Sequence, residues 1–442
     1  MLKRIGITLV VLFGCASLFA QDASDLERRL RAIEEKIAQM QSPEVAELRR
    51  QIEILGQEIE ALKTRQTDTV VAADTEQHGL GAAASKVYRV DQGISFGGYG
   101  EMLYENFSGA TDSGVRVTNR DQFDMLRGIL YAGYKYNDRV LFNSEIEFEH
   151  GSTGSGGEAS VEFAYLDFLM RPDVGLRGGL LLIPMGLVNE QHEPTVYLTA
   201  KRSAVEGSII PTTWREMGVG AFGEHGPFTW RAYVVNSLNG RNFTAGGVRG
   251  GRQKGARALA EDFSLTGRLD WQPMVGTTVG GSFFTGNSGQ ANVAGGETVD
   301  ARLTLFDVHA ESRFRGATVR ALWARGTIDD VAELNALNGF TGNRSIGESL
   351  GGWYVEGGYD LSSLFEFGER SLTPYVRYEQ LDTQRSVPAG FSRNPANDQR
   401  IFTYGLQFRP IPQAVIKADY QDVENEAGTG LNQWNFAIGY IF

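Results

Sequence analysis

The chain ends on Trp434-Asn435-Phe436-Ala437-Ile438-Gly439-Tyr440-Ile441-Phe442, in which every second residue is large and apolar. Alternate side chains of a strand share a face, so Trp434, Phe436, Ile438, Tyr440 and Phe442 form one greasy stripe. Chain ends usually fray in water, yet this one closes on an aromatic at its last position. An edge strand of a soluble sandwich is one solution. A last strand facing lipid also accounts for the terminal aromatic and is the reading preferred here.

The same alternation recurs from about Tyr88 onward. Val140, Phe142, Ile146 and Phe148 fall on one face of their segment, with Asn143, Glu145, Glu147 and Glu149 mostly on the other, where so many acids need water. Phe402, Tyr404, Leu406 and Phe408 oppose Thr403, Gln407 and Arg409. Val376 and Tyr378 oppose Arg377 and Glu379, and Ile416, Ala418 and Tyr420 oppose Lys417, Asp419 and Gln421. Short turns at 137–138, 225–227, 315–316 and 409–412 alternate with long polar stretches at 237–260, 286–300, 327–350 and 383–399. The pattern predicts an all-β, transmembrane antiparallel β-barrel of about 16 strands over residues 88–442, with short periplasmic turns and long outer loops. A mean hydropathy of -0.24 would by itself suggest a soluble chain. Barrels give such values because polar lumen-facing residues dilute the lipid-facing ones.

At the other end, Lys3 and Arg4 precede an apolar run from Ile5 to Phe13 and the small or apolar stretch Gly14 to Ala20. This reads as a secretory signal over 1–20, cleaved before Gln21 and too short to span a bilayer permanently. Cys15, the single cysteine, lies inside it after Leu12-Phe13-Gly14. Phe13 is bulky for a lipoprotein box, so ordinary cleavage is the expectation and lipidation the alternative. Neither leaves cysteines for a disulfide framework.

Between the two lies a segment of different character. Leu26, Leu30, Ile33, Ile37 and Met40, then Val45, Leu48, Ile52, Leu55, Ile59 and Leu62, keep a heptad spacing broken at Pro43. Residues 22–66 are expected to form a self-associating periplasmic coiled coil, whose mixed Ile and Leu seam leans to three strands. An amphipathic helix lying on its own barrel is the alternative. Residues 67–87 are small, polar and aperiodic, and read as a linker.

The terminal strand closing on Phe442 resembles the assembly signal of bacterial outer-membrane barrels, carried here by Trp434, Phe436, Tyr440 and Phe442. It implies the barrel assembly machinery as a partner. Ser95-Phe96-Gly97-Gly98-Tyr99-Gly100-Glu101 at the first strand and Gly186-Leu187-Val188-Asn189-Glu190 carry a resemblance, over the whole barrel, to the phosphate-selective porin O and P family. Many of its members have an N-terminal coiled coil. The resemblance implies a homotrimer of 16-stranded barrels in the outer membrane, each pore narrowed by an inward-folded loop and passing small anionic or polar solutes.

The formal net charge is -12, which argues against nucleic acid as a partner. It does not set pore selectivity, because a narrow throat focuses the field of the few charges that line it. Arg241, Arg249, Arg252, Lys254 and Arg257 share a stretch without an acid. They suit either the pore or the phosphates of lipopolysaccharide. Arg127, Arg231, Arg268, Arg320 and Arg377 face the lumen by parity, to pair with acids such as Glu145, Glu147 and Glu311 or to meet solute. The inward loop is expected at Gln191–Thr213, with Pro194 and Pro211, and the constriction candidates are His192, Glu193, Lys201, Arg202 and Arg215. A modest anion preference is expected.

The sequence leaves two rival functions. A barrel lipase or protease needs a nucleophile, a base and an orienting group held together. His78, His150, His192, His225 and His309 sit in no H-E-x-x-H or G-x-S-x-G pattern. The glycine-rich stretch 151–157 lacks the Gly-Lys-Ser/Thr ending of a phosphate loop, and no metal or cofactor is expected. The other rival is a closed barrel that anchors the envelope through its coiled coil.

Overall fold

The computed structural model describes residues 78–442 except 155, 172, 366 and 367. The expected signal, the coiled coil at 22–66 and the linker up to residue 77 lie outside the described residues.

The first half of the wall comprises β1 (Gly93–Phe107), β2 (Gln122–Lys135), β3 (Val140–Glu149), β4 (Glu158–Arg171), β5 (Val174–Leu182), β6 (Arg215–His225), β7 (Phe228–Asn236), β8 (Phe263–Met274) and β9 (Thr277–Gly286). A small hairpin, β10 (Val293–Ala294) and β11 (Glu297–Thr298), stands apart in an outer loop. The wall resumes with β12 (Leu303–Phe314), β13 (Ala317–Ile328), β14 (Ser349–Tyr359), β15 (Ser371–Ser386), β16 (Asp398–Ile411), β17 (Ala414–Asn425) and β18 (Gln433–Ile441). Sixteen strands close into one barrel, each antiparallel to its chain neighbours, with β9 beside β12 and β18 returning to β1. Closure leaves no edge, so the ladder satisfies the wall's backbone groups without water.

The period of two is visible along each wall strand. Trp434, Phe436, Ile438 and Tyr440 point outward, while Asn435 and Ala437 are buried inside. Ile146 and Phe148 face out, and Asn143, Glu145 and Glu147 face in. Tyr404, Tyr420 and Trp434 are direct register partners on β16, β17 and β18, with ring centroids 5.6 and 5.0 Å apart, and they make an outward aromatic row. The turn expected at 409–412 is shorter. Strand β16 continues to Ile411, and a register shift between Phe408 and Ile411 accommodates Pro410, which has no N–H for the ladder.

The lumen departs from a uniformly polar lining. Near the outer loops, Leu303 and Leu305 of β12, Leu322 and Ala324 of β13 and Leu350 of β14 point inward, and all are buried. They join Trp214 and Phe284, whose rings lie 4.4 Å apart, in an apolar core within the barrel. Outer-loop residues Phe243, Val299, Val331, Leu334 and Ile346 extend this core. Farther along the same strands the inward positions become charged, with Asp307, His309 and Glu311 on β12 and Arg320 on β13.

Residues 78–87, expected as part of the linker, are not a free connection. Residues 78–89 run inside the barrel, ending in one helical turn at Lys86–Arg89, and Leu80, Ala83, Ala84 and Val87 are buried. Their small size read as linker composition; they fit a narrow space between the wall and the inward loop.

Candidate functional site

The long connection between β5 and β6 folds into the lumen. It was expected over Gln191–Thr213 and occupies Ile183–Trp214, since the ladder of β5 ends at Leu182 and that of β6 begins at Arg215. The Gly186–Glu190 motif therefore belongs to the loop. Outside a sheet, such a loop must find other partners for its backbone groups. The charged lumen wall supplies them.

At the start of the loop, Asp307 accepts from the Gly186 N–H at 3.1 Å and Arg268 donates to the Gly186 carbonyl. Glu190 is ion-paired with Arg231 at 3.1 Å and approaches Arg268 at 3.7 Å. The Asn189 side chain joins the two ends, donating to Ile183 O and Trp214 O and accepting from Trp214 N–H. Farther on, Arg409 donates to Thr195 O at 2.6 Å, and Lys417 donates to Tyr197 O and Thr199 O, each at 2.9 Å. Asp419 accepts from Ala200 N–H at 2.7 Å, Glu379 accepts from the Ser203 hydroxyl at 2.7 Å, and Tyr354 donates to Glu206 at 2.6 Å. Wall cations hold loop carbonyls and the Glu190 carboxylate, wall carboxylates hold loop donors, and the Tyr354 hydroxyl holds Glu206.

The constriction candidates separate into two groups. His192 and Glu193 are packed away: His192 contacts Asn189 O at 2.9 Å and Glu145 at 3.0 Å, and Glu193 accepts from the Ala83 and Ala84 N–H groups. Arg215 lies at the first position of β6, buried, 2.6 Å from Glu162. These three therefore support the loop's surroundings and do not line free space. Lys201 and Arg202 remain partly open. Lys201 pairs with Glu105 at 2.6 Å, and Arg202 donates to His192 O at 2.9 Å.

Arg127, Arg231, Arg268, Arg320 and Arg377 each meet acids. Arg127 lies 3.2 Å from Glu101 and 3.8 Å from Glu147, Arg268 lies 2.7 Å from Asp270, Arg320 lies 2.7 Å from Glu311, and Arg377 lies 3.1 Å from Glu379. Glu149 is half-buried at the outer end of β3. The basic outer stretch divides. Arg249 donates to Gly207 O at 3.3 Å and Arg252 to Pro211 O at 3.2 Å and Thr213 O at 2.5 Å, which places both against the inward loop. Reduced hydration and the neighbouring charges of Arg252 and Arg202 pull the Arg249 guanidinium down to about 10. Lys254 instead approaches Glu158, and Arg241 reaches Leu337 O.

One cluster imitates a catalytic relay. His309 lies between Asp307 at 2.6 Å and Asp270 at 2.9 Å, with the Ser282 hydroxyl donating to Asp307. All four are buried, and both carboxylates are already engaged with the loop or with Arg268 and Arg231, so the arrangement acts as a clamp. Sequence reasoning placed Lys417 and Asp419 inward without seeing their task, and it missed Tyr88, Arg177 and Glu206. Inward parity was the only available signal for Arg177.

No protein-family model matches the chain. The fold is similar to that of the loop L8 deletion mutant of OmpT, an outer membrane protein of Vibrio cholerae, with a TM-score of 0.52 and 12% identity over 80% of this chain and 100% of that one. It is also similar to the outer membrane channel DcaP of Acinetobacter baumannii, with a TM-score of 0.51 and 12% identity over 79% of this chain and 97% of that one. At such identity the likeness is one of fold, the closed 16-stranded barrel of outer-membrane proteins. An uncharacterized protein of Aquifex aeolicus (strain VF5) is 36% identical over 375 residues, 82% of this chain and 83% of the relative. The chain belongs to the same family as that Aquifex protein.

Proposed function

We propose that the protein is a trimeric outer-membrane channel for passive diffusion of small hydrophilic solutes, with a modest preference for anions such as phosphate or carboxylates. The observation that carries this reading is the Ile183–Trp214 loop, held across the lumen by wall charges, with Lys201, Arg202, Arg249 and Arg252 at its outer side. Guanidinium forks suit oxyanions, and a low-dielectric throat strengthens their effect. The fold shared with a named outer membrane channel and the resemblance of 95–101 and 186–190 to the phosphate-selective porins support it. The signal at 1–20 would deliver the chain to the envelope. Trp434, Phe436, Tyr440 and Phe442 would present it to the assembly machinery, and residues 22–66 would hold three copies together in the periplasm.

A second reading, a closed barrel that anchors the envelope, is favoured by the lumen's packing around Trp214, Phe284 and Leu305. Planar-bilayer recording under a salt gradient separates the two. A channel gives discrete steps with a reversal potential on the anion side. A closed anchor gives no current, and a reversal potential on the cation side removes the assigned role of the mouth cations.

A further inference from the structure

We propose that Arg325 and Arg385 form a binding site on the outside of the wall for the phosphate of an outer-leaflet glycolipid, lipopolysaccharide. The inference goes beyond the channel reading and holds whether or not the lumen conducts.

Along β13, Val319, Trp323 and Arg325 are exposed on the outer face, while Leu322 and Ala324 are buried inside. The register partner of Arg325 on β14 is Gly351, which alternates with inward residues so as to share the outward face with Trp353 and Val355. A Cβ at Gly351 would lie 3.7 Å from Arg325 Cα and 3.4 Å from Arg385 Cδ, so the stem of Arg385 crosses from β15 to the same spot. The glycine leaves a bay on the wall, bounded by two arginines.

The bay lies at headgroup depth. Trp323 and Trp353 are register partners, each two residues along its strand from Arg325 and Gly351. The Trp323 ring lies 5.3 Å from Phe306 and the Trp353 ring 5.5 Å from Tyr378, an exposed aromatic row across β12–β15. Such rows mark the membrane interface, and the next outward position stands about 7 Å farther from the bilayer centre at ~3.4 Å per residue. Ile328 and Ser386 lead into the long stretches 329–348 and 387–397, so this rim is the outer one. The phosphate-bearing glycolipid of that leaflet is lipopolysaccharide.

Both arginines are free to take a ligand. Among the described residues neither side chain has a hydrogen bond or an ion pair, in contrast to the paired arginines of the lumen. Asp382, close to Arg385 in sequence, is held by Arg393 at 2.6 Å, and Asp329 and Glu348 pair with neither arginine. Arg400, outward on β16, lies beside Glu424 and Glu426 and is less suited to an anion. Arg249 and Arg252, which by sequence also suited lipid phosphates, are turned to the inward loop. Two neighbouring unpaired cations repel, and a phosphate relieves that repulsion while accepting from both guanidinium forks.

The test measures binding to the full-length protein in detergent by native mass spectrometry. The probes are lipid A (the phosphate-bearing part of lipopolysaccharide), the same lipid A stripped of its phosphates, and phosphatidylglycerol. The wild type should hold phosphorylated lipid A about tenfold or more tighter than either other lipid. Arg325→Gln with Arg385→Gln should lose about tenfold or more of that affinity. Arg116→Gln with Arg120→Gln, which removes the same charge from an exposed outer loop, should bind as wild type. Equal binding of the two forms of lipid A by the wild type would overturn the site without recourse to any variant. Undiminished binding by the Arg325 and Arg385 variant, or an equal loss in the Arg116 and Arg120 variant, would also overturn it. Phosphatidylglycerol bound as tightly as lipid A would overturn the glycolipid as occupant.

Discussion

Gly98 and Phe442 exchange both backbone hydrogen bonds across the seam where the barrel closes. Gly98 N–H donates to Phe442 O at 3.1 Å, and Phe442 N–H donates to Gly98 O at 2.9 Å. A Cβ on Gly98 would come within 2.7 Å of the Phe442 ring, so the glycine leaves the space that the last aromatic occupies. Deleting Phe442, replacing it by Asp, or making Gly98→Leu should sharply reduce folded, heat-modifiable barrel in the outer membrane. Normal amounts of each variant would refute the role assigned to this seam.

Arg377 lies 3.1 Å from Glu379 and 3.6 Å from Glu356, and it donates to the Thr199 hydroxyl at 2.6 Å. Arg377→Met strands two buried carboxylates and frees the loop, a loss of about 3–5 kcal/mol. Urea unfolding in detergent should show the midpoint falling, and adding Glu379→Gln should recover part of it. An unchanged midpoint would mean that water already solvates these carboxylates.

Lys201 and Arg202 test the selectivity argument. Lys201→Glu places an acid beside Glu105, where the native contact is 2.6 Å, and Arg202→Glu removes a second cation nearby. The double variant should move the reversal potential toward cations and weaken block by phosphate. If it behaves as wild type, acids on β3 such as Glu147 and Glu149 become the groups to test.

His78 gives the 78–89 segment a pH response. Its ring packs edge-on to Tyr88 and Phe222, with Glu224 of β6, Arg177 of β5, Asp167 of β4 and Arg231 of β7 around it. Burial first, then Arg177, lowers its pKa from the ordinary 6.5 to about 4. The released segment takes up a proton in that interval and the docked one does not, so docking is strongest above pH 6.5 and weakens as pH falls toward 4. Proteolysis at residues 78–89 should accelerate on acidification, and His78→Phe should flatten the response.

If the protein is the proposed trimer, removing residues 22–66 should lower its melting temperature in detergent and leave single-channel conductance unchanged. A changed conductance would mean that residues 22–66 reach the pore.

Much of the barrel was legible because its code is local. A period of two along Val140–Glu149 or Trp434–Phe442 assigns inside and outside without knowledge of any distant residue, and turn length separates the two rims. The same parity placed Arg377, Lys417 and Asp419 inward. It could not distinguish a charge that meets solute from one that holds a loop, because both need the same face.

That distinction was decided by where Ile183–Trp214 and residues 78–89 settle. Neither segment follows a strand period, and their partners lie far away in sequence: Glu193 with Ala83, Lys417 with Thr199, and Arg268 with Gly186. Leu303 and Leu305 likewise read as ordinary strand residues until the outer loops and Trp214 covered them. Alternation by itself determined the barrel and the orientation of its wall residues. The division of its lumen into an apolar core, a network that holds the loop and a few open cations came only from tertiary contacts, because backbone without a ladder must take its partners from whatever side chains the closed wall brings near.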